Sequence, residues 1–425
     1  MKNTELTRRD YLKGTAGAGA AGLTGFAGCM GIGGGGNNEL EVLHGWTGGD
    51  GAAAEDALVA AFEEEYPDMA TNFSPIGGGG NENLDTVVAN RLNSGDPPSA
   101  FAGWPGKNLT KYDGVLGNLT DVWENGMTDA HIPEAAELCQ YDGEYRAMPI
   151  GSHRLNCLFY NAEVVEAAGV NPDDLNSADA LLDALGTVSD ETDAVPMAQA
   201  MQGAWTTLQL VGVVLLSTGG YDAYMSAVNG EGGRDAVRTA FETTREILEN
   251  YINDDAASTN LTAANQKIIN GEAAFIHQGN WAAGAYRNAE GFNYDEHWGH
   301  KTFPGTEGLY TFHIDSFIMP SDNPSPENTR TFMEFVGSEK AQVAFNQYKG
   351  SIPTRTGVDT SEFGPYLVET IEDFENAENL PPTIAHGLAV EPQKMTDLEN
   401  VITNDFSGPY DVEAATDGFM SVVQG

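Results

Sequence analysis

One stretch, residues 40–67, constrains the fold more than any other; it reads LEVLHGWTGGDGAAAEDALVAAFEEEYP. Apolar residues alternate over 40–44 as in a short strand, glycines at 48, 49 and 51 free the backbone, and apolar residues then recur at helical spacing up to Phe62. Pro67 ends the helical pattern. This order of strand, loop and helix predicts the first unit of an open α/β sheet, in which ligands bind beyond the carboxyl ends of the strands.

Two side chains on the predicted loop, Trp46 and Asp50, are candidates for ligand contact. A sugar presents apolar C–H faces and hydroxyl groups, so an aromatic ring beside a carboxylate suits it. In the alternative interpretation, Trp46 only fills the end of the first strand–helix unit. The stretch by itself leaves both interpretations open.

The chain carries far more acidic than basic residues. Its 425 residues, enough for two domains, include 63 Asp and Glu against 20 Lys and Arg, which gives a net charge of -43. This charge excludes a general affinity for nucleic acid phosphates. A 41% share of hydrophobic residues, regularly spaced, favours a folded core over disorder.

The acidic residues are dispersed over the whole chain, and such a composition suits a halophilic protein. Concentrated salt screens the repulsion between carboxylates beyond a few ångströms. We therefore expect the purified protein to lose structure as salt is lowered. Circular dichroism that stays unchanged down to millimolar salt would contradict this prediction.

Residues 1–28 predict a twin-arginine export signal. Arg8 and Arg9 precede a Gly- and Ala-rich stretch that is too short for a membrane helix. The sequence FAGC at 26–29 resembles a lipoprotein processing site, so Cys29 is predicted to be the first mature residue and to carry lipid. The Gly-rich residues 29–38 would then tether the protein to the extracellular face of the cell membrane.

The cysteines, two histidines and three sequons are the candidates for covalent or metal chemistry. Cys157 lies in an apolar segment, which favours a buried free thiol, although a disulfide with Cys139 stays open outside the cell. His297 and His300 are spaced for a metal pair but lack a nearby third ligand, so neither metal nor cofactor is predicted. Three N-x-T sequons mark candidate glycan sites, at Asn108, Asn118 and Asn260.

The rest of the chain continues as strands and helices. Further strands are predicted from Met69 and over 99–104, 155–160, 273–276 and 311–320, with helices over 84–92, 178–185, 208–216, 235–251, 326–337 and up to 348. Repeated strand, loop and helix units predict a mainly parallel sheet. Three extended passages, near 150, 314 and 350, suit a chain that passes back and forth between two α/β lobes, since tandem domains need only one passage.

Seven segments together resemble the family 1 extracellular solute-binding proteins of ABC importers, most closely their glucose-binding branch. They are WTGG at 46–49, SGDPPSAF at 94–101, MPIGSHRLNCLFYN at 148–161, FIHQGNWAAG at 275–284, IDSFIMP at 314–320, KGSIPTR at 349–355 and IAHG at 384–387. The resemblance covers essentially the whole mature chain. It implies a periplasmic-binding-protein-like α/β fold, in which two α/β lobes are joined by a hinge of three crossover segments.

The resemblance also implies an organisation and a function. The N-terminal lobe would comprise residues 39–150 and 315–350, and the C-terminal lobe residues 151–314 and 351–425. The protein would be a lipid-anchored monomer that binds a monosaccharide, with glucose or a similar hexose as first candidate, between its lobes. It would deliver the sugar to the transmembrane subunits of an ABC permease and would not be an enzyme.

The sugar-contacting positions of the glucose-binding branch can be carried over residue by residue. They fall at Trp46, Trp104, His153, Trp205, Trp281, Asp315, Lys349 and His386, and Asp50 matches an acidic residue of the first loop approximately. The rings would cover the sugar, Asp315 would accept hydrogen bonds from two hydroxyls and Lys349 would donate one. This chain has Gly45 where relatives can carry an aromatic residue, and Trp104 where a polar residue is expected. The identity of the sugar is therefore open.

Several alternatives remain open at this point. The ligand could be a disaccharide, an oligosaccharide or a polyol. A secreted carbohydrate-active hydrolase would need two carboxylates, whereas the inferred site offers one. A surface adhesion protein would explain the tether but not the three passages. The tryptophans could also be core residues, His153 could bond only to backbone, and Asp315 and Lys349 could form only an ion pair between the lobes.

Overall fold

The computed structural model describes residues 39–49, 51–77 and 81–425. The predicted signal at 1–28, the tether at 29–38 with its Cys29, and the loop residue Asp50 lie outside the described residues. None of the helices in the described ranges has both the length and the hydropathy needed to cross a bilayer.

The described strands are short. They are β1 (Leu40–His44), β2 (Thr71–Pro75), β3 (Ala100–Gly103), β4 (Gln140–Tyr141), β5 (Glu144–Tyr145), β6 (Ala147–Arg154), β7 (Cys157–Asn161), β8 (Val195–Met197), β9 (Ala273–Gln278), β10 (Trp298–Thr302) and β11 (Phe312–Ile318).

Helices connect and cover these strands. They are α1 (Ala52–Glu65), α2 (Glu82–Ser94), α3 (Thr120–Val122), α4 (Pro133–Leu138), α5 (Ala162–Ala167), α6 (Ala178–Glu191), α7 (Ala204–Val228), α8 (Arg234–Asn250), α9 (Leu261–Ile269), α10 (Ala282–Arg287), α11 (Pro326–Val336), α12 (Glu339–Lys349), α13 (Pro365–Glu375), α14 (Pro392–Val401) and α15 (Val412–Gln424). A short 3-10 helix, Gly106–Tyr112, follows β3.

Two sheets organise the described chain. Their strand orders are β2-β1-β3-β11-β6 and β10-β7-β9-β8, while β4 and β5 form a separate hairpin. Strands β1, β2 and β3 are parallel, as successive strand–helix units require. However, β11 is antiparallel to both its neighbours, and β7 is antiparallel to β9 and β10. The prediction of a mainly parallel sheet therefore holds for the direction of most strands, but not for β7 and β11, which arrive from the other sheet and run opposite to the rest of their own sheets.

The two sheets belong to two α/β lobes, so the predicted periplasmic-binding-protein-like fold with three crossover segments is confirmed. The chain first crosses from the first sheet to the second between β6 and β7. It returns to the first sheet with β11, and it leaves that sheet again after α12. The first and third passages pair through the backbone, because Ser152 and Ile352 exchange N–H···O bonds of 2.8 and 3.0 Å. The residue boundaries predicted for the two lobes stay predictions.

Each sheet has its own apolar packing. Trp123 is fully buried in the core of the first sheet, and Trp298 is fully buried in a core that covers the second sheet. Cys139 and Cys157 are both buried and both free, so they do not form the disulfide left open by the sequence. Burial raises the pKa of each thiol, which keeps both protonated and unreactive at neutral pH.

Candidate functional site

The described residues predicted to contact ligand all line one cavity of about 310 Å³. These eight are Trp46, Trp104, His153, Trp205, Trp281, Asp315, Lys349 and His386. The ninth, Asp50, lies outside the described residues. Both lobes contribute to the lining, and we call this space the first cavity.

Two antiparallel strands bring the polar centre of the cavity together. His153 on β6 lies directly opposite His313 on β11, and Asp315 follows two positions later on the same face. The ladder shifts register between Asp315 and Ser316, which is a β-bulge. A bulge re-aims the adjacent side chain, and here it lies at the residue that supplies the carboxylate.

The Asp315 carboxylate is buried among basic groups. His153 Nε2 lies 3.0 Å from its Oδ2 atom, while His153 Nδ1 lies 2.6 Å from Oδ1 of Asn280. His313 Nε2 lies 3.7 Å from the other carboxylate oxygen. Burial alone would raise the pKa of Asp315, but His153, His313 and Lys349 together hold it well below its usual range. The carboxylate is therefore charged at neutral pH.

Lys349 enters the cavity from the last turn of α12. The helix ends because Gly350 adopts a left-handed conformation with φ +89°. A Cβ atom at position 350 would lie 2.5 Å from the carbonyl oxygen of Asn280, so only glycine allows this approach. The turn thus brings the end of α12 against the loop before Trp281.

The tryptophans are positioned by nearby glycines. A Cβ atom at Gly279 would lie 2.3 Å from the ring of Trp281, and one at Gly203 would lie 2.9 Å from the ring of Trp205. In both cases the sequence Gly-x-Trp lets the ring fold back over the chain. The two indoles then lie 6.4 Å apart at an angle of 62°.

Trp46 occupies the end of the first strand–helix unit, on the loop after β1. Its ring packs against Phe317 and Phe345 at 5.6 and 5.0 Å and stacks on His44 at 6.0 Å. It is half-buried and also lines the first cavity. The two interpretations offered for Trp46, as packing residue and as cavity residue, are therefore compatible.

Two neutral imidazoles complete the centre. The rings of His313 and His386 lie 4.7 Å apart, and Trp104 packs against them at 5.2 and 5.0 Å. Burial lowers the pKa of both histidines, although the Asp315 charge opposes the shift. The Nδ1 atom of each ring is buried without a hydrogen-bond partner in the described structure.

Several residues that line the first cavity were not predicted from the sequence. His313 is one of them, and the only signal for it is its position two residues before Asp315 in a strand. The others are Gly45, Thr47, Gly48, Asn81, Gln202, Asn260, Leu261 and Thr262. Most of these come from loops and helix starts, where no periodic pattern exists to identify a side chain that faces a cavity.

Two of the predicted glycan sites bear on this region. Asn108 is 2% exposed, and its Nδ2 atom, which a glycan would modify, donates to the carbonyl oxygens of His386 and Gly387. That contact holds the turn that carries His386. Asn260 lines the cavity and accepts a hydrogen bond from the backbone of Ala263 at the start of α9.

The chemistry of the first cavity suits binding. Asp315 is the single carboxylate among the described residues of its lining, whereas glycoside hydrolysis requires a pair. In the described ranges, no three His, Cys, Asp or Glu side chains are arranged to hold a metal ion. What the cavity offers is aromatic surface and buried hydrogen-bonding groups.

A two-lobed fold with such a cavity defines a binding protein. The family described as bacterial extracellular solute-binding protein matches residues 57–376, and the chain belongs to this family. The resemblance to extracellular solute-binding proteins is thereby confirmed, without the glucose-binding branch. Proteins of this family bind solutes outside the cytoplasm and are not enzymes.

Curated relatives extend over most of the chain. The xylose/arabinose-binding protein XacG of Haloferax volcanii is 50% identical over 389 residues, which cover 91% of this chain and 85% of XacG. An uncharacterized ABC transporter extracellular-binding protein of Pyrococcus horikoshii is 30% identical and covers 86% of this chain and 83% of its own. A probable sugar-binding periplasmic protein of Rhizobium meliloti is 29% identical, and the match covers 91% of this chain and 93% of that protein.

Solved structures share the fold at low sequence identity. The bacterial solute receptor AcbH, described as preferring β-D-galactopyranose, has a TM-score of 0.78 at 17% identity and covers 91% of this chain and 98% of its own. Maltose-bound MalE3 of T. maritima has a TM-score of 0.75 at 17% identity, with 91% and 99% covered.

Proposed function

We propose that this chain is the sugar-binding component of an ABC importer and holds one aldose monosaccharide in the first cavity. The observation that carries the proposal is the convergence of four tryptophans on one buried, charged carboxylate. The four, Trp46, Trp104, Trp205 and Trp281, line the same cavity as Asp315 although they come from segments far apart in the chain.

The groups of the cavity match the two kinds of surface on a sugar. Indole rings pack against the apolar C–H faces. The Asp315 carboxylate accepts hydrogen bonds from hydroxyls, Lys349 can donate, and the imidazoles of His313 and His386 supply neutral partners. A sugar that lacks a matching hydroxyl would leave a buried group unpaired, and this cost provides selectivity.

Two sugars are the main candidates. The resemblance seen in the sequence favours glucose, whereas the relative at 50% identity is named for xylose and arabinose. Xylose is glucose without its hydroxymethyl group, so both present the same ring hydroxyls to Asp315. We place a pentose first and glucose second, because the more aromatic wall at Trp104 offers the hydroxymethyl group of glucose little hydrogen bonding.

The proposed mechanism is closure of the lobes around the sugar. Open and closed states of such proteins differ by a few kcal/mol, and a ligand that contacts both walls favours the closed state. The permease would recognise that closed state. In this proposal the protein is a monomer, exported by the twin-arginine pathway and held at the outer face of the membrane by lipid on Cys29.

A thermal-shift panel in high salt tests the proposal. A sugar at a hundredfold excess over its Kd should stabilise the protein by about 2.7 kcal/mol and be recovered unchanged. We expect the largest shifts with D-xylose or L-arabinose, a smaller one with D-glucose and none with sorbitol. If no sugar shifts the unfolding temperature, the proposal is wrong, and if the sugar is consumed, the protein is an enzyme and not a binding protein.

A further inference from the structure

Asn280 is fully buried where the two sheets meet, but it does not line the first cavity. It follows β9 of the second sheet and directly precedes Trp281. Its backbone N–H donates to the carbonyl oxygen of Arg154, at the end of β6, over 2.8 Å. Its own carbonyl oxygen packs so closely against Gly350 that a Cβ atom there would lie 2.5 Å away. These two contacts fix the backbone of Asn280 between β6 and the end of α12.

The side-chain amide of Asn280 is directed at one residue. Its Oδ1 atom lies 2.6 Å from Nδ1 of His153, while its Nδ2 atom is buried without a hydrogen-bond partner in the described structure. An unpaired buried donor destabilises the folded protein, whereas an apolar side chain of similar size would not. Packing alone therefore gives no reason for an asparagine at this position, but its pairing with His153 does.

His153 lies between two hydrogen-bond acceptors. Its Nε2 atom lies 3.0 Å from Oδ2 of Asp315, and a charged carboxylate can only accept, so Nε2 donates. On the other side of the ring, Nδ1 donates to Oδ1 of Asn280. A rotation of the ring by half a turn about its Cβ–Cγ bond would place carbon atoms against both partners. The two bonds together therefore hold the ring in one orientation.

We propose that Asn280 is a positioning residue for the sugar, and that it acts on the sugar through His153 and Asp315. By fixing the ring of His153, it holds the carboxylate at one oxygen, so the carboxylate is oriented before a sugar arrives. Orienting a binding group in advance lowers the entropy lost on binding and so raises affinity. The inference rests on the proposed function, because it requires a sugar beside Asp315. It goes further by naming a residue outside the cavity that sets the affinity.

The first test removes the amide. Isothermal titration calorimetry in high salt would use whichever of D-xylose, L-arabinose and D-glucose gives the largest thermal shift. Asn280→Leu keeps the size of the side chain, and we expect it to weaken binding at least tenfold, because the ring and the carboxylate are no longer held. Asn280→Asp keeps an oxygen acceptor for Nδ1, so its affinity should stay within threefold of the wild type. Wild-type affinity in Asn280→Leu, or equal losses in both variants, would overturn the inference.

A double-mutant cycle separates positioning from a structural role. With His153→Ala already present, Asn280→Leu has no ring to act through, so it should change sugar affinity by less than twofold. Tryptophan fluorescence, titrated to high sugar concentration, would measure the weak binding of these variants. If Asn280→Leu causes the same loss in both backgrounds, Asn280 acts by another route, such as its neighbour Trp281, and the inference is wrong. Where Asn280→Leu does not fold, as judged by circular dichroism, Asn280→Ala takes its place in the cycle.

Asn265→Leu is the matched control. Asn265 is 2% exposed, lies on α9 outside the lining of the first cavity, and accepts a hydrogen bond of 3.0 Å from the hydroxyl of Tyr286. The variant makes the same substitution at a buried amide, so we expect a less stable fold with sugar affinity within threefold of the wild type. A loss as large as that of Asn280→Leu would overturn the inference and leave the proposed function intact. A wild-type protein that binds no sugar would overturn both.

Discussion

Asp315→Ala is expected to abolish the sugar-induced thermal shift and to weaken sugar binding at least a hundredfold while the fold persists. The carboxylate is charged, buried and part of the cavity lining, and in the proposed function it accepts two sugar hydroxyls. Hydrogen bonds to a charged group contribute roughly 1.5 to 3 kcal/mol each, and about 1.4 kcal/mol corresponds to tenfold in affinity. Loss of two such bonds therefore exceeds a factor of one hundred, which calorimetry would measure directly.

The control for this variant removes a carboxylate outside the cavity. Asp121 pairs with Arg330, and Asp121→Ala makes the same change of charge away from the first cavity. Circular dichroism without sugar establishes that both variants are folded. If Asp315→Ala does not fold, Asp315→Asn preserves the shape of the side chain and should still lose most of the affinity. An undiminished thermal shift in a folded Asp315 variant would disprove the assigned site.

A second large effect, on how stability depends on pH, is expected from the buried pair of His44 and Glu55 behind Trp46. Glu55 on α1 and His44 at the end of β1 are each 4% exposed, with Oε1 of Glu55 3.9 Å from Nε2 of His44. Burial, with a smaller contribution from Asp56, raises the pKa of Glu55 from its ordinary 4.5 to about 8. Burial also lowers the pKa of His44 to about 4, although Asp56 opposes that shift.

The two shifts have opposite effects on stability. Between about pH 4.5 and 8 the folded protein holds a proton on Glu55 that the unfolded chain has lost, so stability falls as pH rises. Between about pH 4 and 6.5 the unfolded chain holds a proton on His44 that the folded protein lacks, so stability rises with pH. The two contributions to stability offset each other up to about pH 6.5. From about pH 6.5 to about pH 8 only the Glu55 contribution remains, so the free energy of unfolding falls as pH rises.

We therefore expect Glu55→Gln to remove this fall in the free energy of unfolding. A difference of one bound proton between the folded and unfolded states changes the free energy of unfolding by about 1.4 kcal/mol per pH unit. Over the window from pH 6.5 to 8 the change is therefore about 2 kcal/mol. Denaturant unfolding at constant high salt, from pH 5 to 9, would measure it. Glu65→Gln, an exposed change at the end of the same helix, should keep the wild-type profile. A wild-type stability that does not fall between pH 6.5 and 8 would refute the assignment.

The two-lobed fold could be inferred from the sequence, because extended apolar passages near 150, 314 and 350 have no place in a simple succession of strand–helix units. The direction of the strands could not be inferred in the same way. Periodicity identifies β11 as an extended apolar segment, but its antiparallel position between β3 and β6 depends on contacts more than 150 residues away. Local patterns carry no information on such pairing.

The residues of the first cavity also divide into those that the sequence could predict and those that it could not. The tryptophans, Asp315 and Lys349 could be named because motifs resembling a known family surround them. His313 could not, since a histidine inside an apolar strand is ordinarily a core residue, and its partners His153 and His386 come from distant segments.

The place of β11 in the first sheet affects how the protein is made. Ser316 on β11 donates to the carbonyl oxygen of Gly103 on β3, across a sequence separation of 213 residues, and β11 also separates β3 from β6. A nascent chain that has just emerged with β6 therefore lacks the strand that joins β3 to β6. The ribosome must synthesise the whole second sheet before that gap can close, so partial chains that end before β11 expose unpaired strand edges, which favour aggregation.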